Sequence, residues 1–240
     1  THSKPNLAQV PSRSEIGKEC RDCFTVKQGY TLVGMDASGL ELRMLAHYMK
    51  DAAYTDTVVN GDPHVVNQKA AGLATRDEAK TFIYAFLYGG GDGLIGEIVG
   101  GNKNSGRKVK SRFLANIPSL KNLKDRVERA AGKGYLVGLD GRRIRVRNRY
   151  SALNALLQGA GAVVMKRALV ILDQKVMESG IDAGFVGNIH DEIQAEVLDK
   201  DVETYKRFAK EAMVEAGEYY NMRCPLSGDV HTGQTWLETH

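Results

Sequence analysis

The chain has 240 residues, 42% hydrophobic and 26% charged, with a formal net charge of +4: ordinary globular composition, long enough for one large or two small domains. Its three cysteines, Cys20, Cys23 and Cys224, are too few and odd in number for a disulfide scaffold, which points to a reducing compartment; Cys20-x-x-Cys23 has no second pair with which to close a zinc site. No apolar run reaches the ~20 residues that span a bilayer, so no membrane partner is expected.

Thr1 to Arg13 carries two prolines and little periodicity, and reads as an extended lead-in. Thr31 to Met35 is a short apolar run of strand type. A helix follows, with Ser38 and Glu41 as an S-x-x-E capping box and Leu42, Leu45, Ala46 and Met49 as its apolar stripe. Gly61-Asp-Pro63 is a loop. Thr75 and Glu78 form a second capping box, and the helix they open runs to a stop at Gly89-Gly-Gly91. Gly91 to Gly106 is glycine-rich and reads as loop. Lys108 to Ala131 is helical, interrupted near Pro118. Tyr135 to Val146 is a hairpin centred on Asp140-Gly141. Asn154 to Met177 is a long helix of apolar and small residues. Phe185 to Val197 forms two short strands meeting at His190-Asp191, and Lys200 to Tyr219 is a mixed-charge helix. The sum is an α+β chain with its strands mainly in the first and last thirds.

Charge is concentrated rather than large. Between Gly101 and Tyr150 fifteen lysines and arginines face only three acids. Such a tract attracts polyanions and would release counterions from a phosphate backbone. A solvated helix face is the alternative reading.

Three constellations carry chemistry. Asp36 stands where an apolar strand gives way to a helix, which suits a hard-cation ligand; helix capping by Asp36 is the alternative, and for Glu41 it is simply the N3 partner of Ser38. On the Thr75 helix, Arg76, Lys80, Tyr84 and Tyr88 recur every four residues beside an apolar face of Ala79, Phe82, Ile83, Phe86 and Leu87. Two cations followed by two aromatics match a nucleoside triphosphate, though an exposed face with two tyrosines at its edge has the same pattern. Third, Asp191 interrupts the row Ile189, Ile193, Ala195, Val197 at a hairpin tip, with His190, Glu192, Gln194 and Glu196 expected on the opposite, outer face. Two acidic sites at strand ends, a cationic-aromatic helix and a basic tract together make a phosphoryl-transfer kit, in which paired carboxylates hold two Mg²⁺.

The stretches Pro5-Asn-Leu-Ala-Gln-Val-Pro-Ser-Arg13, Asp36-Ala-Ser-Gly-Leu-Glu-Leu-Arg43, Arg76-Asp-Glu-Ala-Lys-Thr-Phe-Ile-Tyr-Ala-Phe-Leu-Tyr-Gly89 and His190-Asp-Glu192 resemble, in order and spacing, the motifs of family A DNA polymerases, with wording nearest the replicative polymerases of short-tailed phages. The resemblance implies a right-hand palm, an antiparallel sheet with packed helices, plus helical fingers. It places palm at residues 1–50 and 135–240 and fingers at 51–134, with the thumb and any exonuclease domain absent. It implies a DNA-directed DNA polymerase that uses two Mg²⁺. Asp36 and Asp191 would be the metal-bridging and catalytic carboxylates, with the Ala37 carbonyl completing a metal shell and Glu192 as the adjacent acid. His64, Arg76 and Lys80 would hold the triphosphate, with Lys80 able to protonate pyrophosphate. Tyr84 would line the sugar pocket, Glu41 would block a ribose 2′-OH and Tyr88 would sit by the templating base. Arg13 and Gln158 would read the minor groove, and Asn154 and His190 would support the primer end.

Two positions depart from bacterial members, which carry Phe where this chain has Tyr84 and Arg where it has Tyr150. The implied partners are primer-template DNA, a dNTP and an upstream thumb- and exonuclease-bearing segment or separate subunit, in the cytoplasm of a bacterial host. A nucleic-acid-binding subunit or fragment that is active only with a separate thumb- and exonuclease-bearing chain, and a single-subunit RNA polymerase, are the alternatives. Retention of both aspartates and the Lys80 helix argues against a purely binding role, and Glu41 against the second.

Overall fold

The computed structural model describes residues 6–11 and 14–239. In chain order its elements are α1 (Glu15–Asp22), β1 (Tyr30–Ala37), α2 (Leu40–Met49), α3 (Ala52–Asn60), α4 (Pro63–Ala71), α5 (Arg76–Leu87), α6 (Asp92–Ile98), α7 (Lys103–Asn116), α8 (Pro118–Ala131), β2 (Tyr135–Val137), β3 (Arg143–Arg145), α9 (Ala152–Ser179), β4 (Ala183–Ile189), β5 (Glu192–Leu198), α10 (Val202–Tyr219) and β6 (Gly228–Gly233). The described part of the lead-in is not fully extended: Leu7–Gln9 makes one 3₁₀ turn. The chain divides into two compact units, residues 1–40 with 162–240, and residues 41–161.

The first unit is built on an antiparallel sheet of order β4-β5-β1-β6. Asp36 pairs with Glu192 on one side and Asp229 on the other. Val33, Met35, Ile193, Ala195 and Val197 are fully buried, together with Tyr205, Ala209, Ala212 and Met213 of α10, so one sheet face packs on that helix. Sequence alternation assigns the other face of β5 to solvent, and there the structure differs. Glu192 and Gln194 are each only 3% exposed, because the segment Trp236–Thr239 lies over them. Gly34 makes room for that segment, since a Cβ there would stand 2.6 Å from the Thr239 carbonyl oxygen.

The second unit is helical apart from the β2–β3 hairpin, whose turn places Gly141 at φ 80° as the Asp-Gly signal requires. The Thr75 capping box forms in full. α2 starts at Leu40 after a left-handed Gly39, and the Ser38 hydroxyl donates to Asp229 Oδ2 at 2.7 Å. Pro118 occupies the first turn of α8, where its missing N–H costs nothing.

The glycine-rich segment expected to be loop is α6, a short turn and the start of α7. Its glycines serve close approach instead of turning. A Cβ on Gly96 would lie 2.1 Å from the Asn102 carbonyl oxygen, and one on Gly106 would lie 2.0 Å from that of Asp92. Both obstacles are backbone and cannot rotate away. Gly106→Ala should therefore destabilise this unit by about 1–3 kcal/mol despite alanine's better helix propensity. Urea unfolding checks this, and an unchanged midpoint would remove the close-packing account.

By length and composition, Arg149–Ser179, which includes α9, is apolar enough to cross a membrane. Uninterrupted apolar runs do not bring it out, because Lys166-Arg167 breaks them. Half of its most apolar stretch is buried within the fold, as in a core helix.

Candidate active site

The acidic site belongs to the first unit. The main chain holds Asp36 next to last in β1, between β5 and β6, and holds Asp191 in the tight β4–β5 turn. His190 adopts φ 57° to make that turn, and the Ala37 N–H donates to the Asp191 carbonyl at 3.0 Å, which ties the end of β1 to the turn. Asp36 is half-buried, and no described residue donates a hydrogen bond to its carboxylate or pairs with it as a cation. Burial, then the charges of Asp191, Glu192 and Asp229, push its pKa up to about 7. Asp229, which the sequence reading did not single out, joins through strand register.

A concentration of hard anionic oxygen in which no described cation pairs with Asp36 is the donor chemistry of a Mg²⁺ site. Among the described residues no group of three or more His, Cys, Asp or Glu side chains is placed so that it could hold a metal ion. That is compatible with Mg²⁺, which keeps water and substrate phosphate in its shell and takes few protein ligands.

Glu192 is held differently. Its Oε1 accepts from the Trp236 indole N–H at 2.7 Å and from the Gln194 amide.

The second unit carries the cationic-aromatic helix. Ala79, Phe82, Ile83, Phe86 and Leu87 of α5 are buried, while Arg76, Lys80 and Tyr88 are exposed and Tyr84 partly so. Asp62 caps α4, accepting from the His64 and Val65 N–H groups through Oδ1, and takes Arg76 Nε on Oδ2 at 2.5 Å. One carboxylate thus sets the helix turn bearing His64 and steadies the guanidinium of Arg76. Gly61-Asp-Pro63 reads as a loop, yet Asp before Pro is also a helix-start signal, and Asp62 caps α4; its link to Arg76 has no local trace. His64 is buried, with Nδ1 lacking a partner among the described residues. Burial lowers its pKa, as do the nearby charges of Arg76 and Lys80, while Asp62 opposes them. The three groups named for a triphosphate therefore face one another electrostatically.

At the other end of α5 the rings of Tyr84 and Tyr88 lie 6.5 Å apart, and the Tyr88 hydroxyl donates to Glu41 Oε2 at 3.2 Å. Gln158 also hydrogen-bonds Tyr88, whose pKa is raised by burial and by Glu41. Glu41, Tyr84, Tyr88 and Gln158 thus form one group. Gly89, at φ 80°, ends the helix against the Tyr150 main chain, leaving no space for a Cβ.

Of the remaining assignments, Asn154 sits in the first turn of α9 with Oδ1 buried and without a partner among the described residues. His190 is exposed in its turn, and Arg13 lies outside the described residues. In the basic tract Lys110 pairs with Asp92, Lys124 with Glu128 and Arg142 with Asp140. Arg107, Lys108, Arg112, Lys121, Arg145 and Arg147 among others remain exposed. Cys20 and Cys23 are exposed free thiols.

The sequence profile of DNA polymerase family A matches residues 1–238. The DNA-directed DNA polymerase of Enterobacteria phage T3 is 40% identical, over 100% of this chain and 39% of its own. That of Escherichia phage T7 is 39% identical with the same coverage. DNA polymerase I of Pseudomonas aeruginosa is 30% identical over 99% of this chain and 28% of its own. Among solved structures, the POL domain of Pol1 from M. smegmatis, in complex with DNA primer-template and dNTP, matches with a TM-score of 0.88 at 25% identity, covering 98% of this chain and 45% of that one. The chain thus spans about 39% of the length of the phage relatives.

Proposed function

Because the chain belongs to DNA polymerase family A, we propose that it supplies the nucleotidyl-transfer centre of a template-directed DNA polymerase. A primer 3′-oxygen attacks the α-phosphorus of a dNTP; the bond to the bridging oxygen breaks and pyrophosphate leaves. Asp36 and Asp191, with the Ala37 carbonyl, would hold two Mg²⁺, which supply charge neutralisation and a more acidic 3′-hydroxyl. Arg76, Lys80 and His64 bind the triphosphate, and Lys80 delivers a proton to the leaving pyrophosphate. The observation that carries the reading is half-buried Asp36, on which the charges of Asp191, Glu192 and Asp229 act and which no described cation answers. In this reading residues 1–50 and 135–240 are palm and 51–134 fingers. Partners are primer-template DNA, a dNTP and a segment beyond these 240 residues, or a separate subunit, that closes over the duplex; the setting is the host cytoplasm. Primer extension tests it: with Mg²⁺ and one dNTP withheld, synthesis should stop at the first template base needing that nucleotide. Incorporation indifferent to the template, or confined to ribonucleotides, would sink the reading.

Sugar selection follows from the tyrosine group. Tyr84 offers a hydroxyl where a missing 3′-OH would otherwise leave a gap, so dideoxynucleotides should be accepted. Tyr84→Phe removes one hydrogen bond and should raise discrimination against them roughly ten- to a hundredfold; competitive incorporation assays check it, and unchanged discrimination removes Tyr84 from the sugar pocket. Glu41, tied to Tyr88, is the barrier to a 2′-OH. Glu41→Ala should raise ribonucleotide incorporation relative to dNTP by roughly the same factor.

A further inference from the structure

Trp236 is the only tryptophan in the chain, and it is 5% exposed. Its indole is held on every side in the first unit. The Arg21 guanidinium lies 4.2 Å over the ring, the Phe24 ring meets it edge-on at 5.5 Å, and its main-chain N–H donates to the Phe24 carbonyl at 3.0 Å. Arg21 is fixed in turn by two bonds to the Val10 carbonyl. Thr239 donates to Gln194 Oε1 at 3.0 Å, and Gln194 donates to the same Glu192 oxygen that the indole contacts. A rigid aromatic donor and an anchored amide therefore converge on Glu192 Oε1, one strand across from Asp36. This is costly polar architecture to bury, and the metal reading uses neither Trp236 nor Gln194.

We infer that Trp236 is a positioning residue: its indole N–H holds the Glu192 carboxylate back from cations bound at Asp36 and Asp191. The inference rests on the metal reading above. A carboxylate oxygen with two donors has little left for a metal ion, whereas a released carboxylate beside a divalent cation would turn to ligate it. Held back, Glu192 adds negative charge to the cluster without filling a coordination position, which leaves room for substrate oxygens.

The experiment is Mn²⁺ binding to the 240-residue chain, followed by electron paramagnetic resonance without DNA or nucleotide. Trp236→Phe keeps the aromatic packing and removes the N–H. It should tighten Mn²⁺ binding roughly tenfold, the scale on which outer ligands tune metals. The same substitution in a Glu192→Gln background should change nothing, because a neutral amide is a poor ligand whether held or free. A fall in affinity would make Glu192 a ligand that Trp236 orients, and would overturn the inference. So would an unchanged affinity, or an equal rise in the Glu192→Gln background. If Trp236→Phe does not fold, the intact chain decides: Mg²⁺ should shift the emission of its single indole, and Asp36→Asn should remove the shift. A silent indole while Mn²⁺ binds in an Asp36-dependent manner overturns the inference alone. Mn²⁺ binding that ignores Asp36→Asn would instead bring down the metal reading itself.

Discussion

Asp36→Asn is expected to slow nucleotidyl transfer by on the order of a thousandfold or more, since each tenfold is about 1.4 kcal/mol and a lost metal ligand removes several. Primer-template affinity should hardly change, because DNA affinity comes from many phosphate contacts. The same substitution should stabilise the metal-free chain. Asp36 is pushed up to about 7 by burial and by Asp191, Glu192 and Asp229. A carboxyl raised above its unfolded value is protonated more readily when folded, so the native state loses stability as pH rises from about 4 to 7, and the loss is complete above that. Asparagine avoids it. After discounting for solvent screening at a half-buried site, the gain at pH 8 should be about 1–3 kcal/mol, fading as pH falls toward 4. Mg²⁺ should narrow the gap at pH 8 by stabilising only the aspartate form. Urea titrations across pH, with and without Mg²⁺, measure all of this; an Asp36→Asn chain less stable than the parent at pH 8 would mean that the carboxylate has a protein partner after all.

Lys80→Ala is expected to lower the single-turnover rate roughly 10²- to 10⁴-fold, the usual range for a positioned proton donor. Lys80 stands one turn after Arg76 on α5, and both charges depress His64. That proximity to Arg76 and His64 supports the proposed triphosphate role over one with the cations of α7 and α8. Lys80→Arg separates its two roles: the charge is kept, but a guanidinium is a poor acid, so the rate should fall between the other two. Rapid-quench kinetics with a parallel primer-template titration tests the assignment. Equal loss of rate and DNA affinity would mark Lys80 as part of the basic DNA tract.

Where local chemistry determines structure, the sequence was readable. The Thr75 box, the Asp140-Gly141 hairpin and the Pro118 break depend on near neighbours, and each appears as expected. Asp36 and Asp191 were legible as polar residues ending apolar runs, and strand register brings them together. Glycine misled: Gly96 and Gly106 look like loop residues, yet each lets one backbone lie against another. β6 was missed because an edge strand reading Gly-Asp-Val-His-Thr-Gly has almost no apolar alternation. Glu192 was placed outside because alternation along one strand cannot anticipate a distant segment folding over it. Its contact with Trp236 spans 44 residues and leaves no local trace.

The order of strands has a further consequence during synthesis. β1 emerges from the ribosome first, but its two neighbours in the finished sheet are β5 and β6, among the last elements to appear. At usual translation rates the roughly 150 residues between β1 and β5 take on the order of ten to thirty seconds to add. Throughout that interval Tyr-Thr-Leu-Val-Gly-Met is a nascent apolar strand with both edges unpaired. The helices of residues 41–161 can fold meanwhile, but they supply no partner to either edge. Messages cut short before β5 would yield a product that is helical over residues 41–161 and adhesive at β1, so holding chaperones should crosslink to β1 in stalled nascent chains and let go once β6 has cleared the exit tunnel.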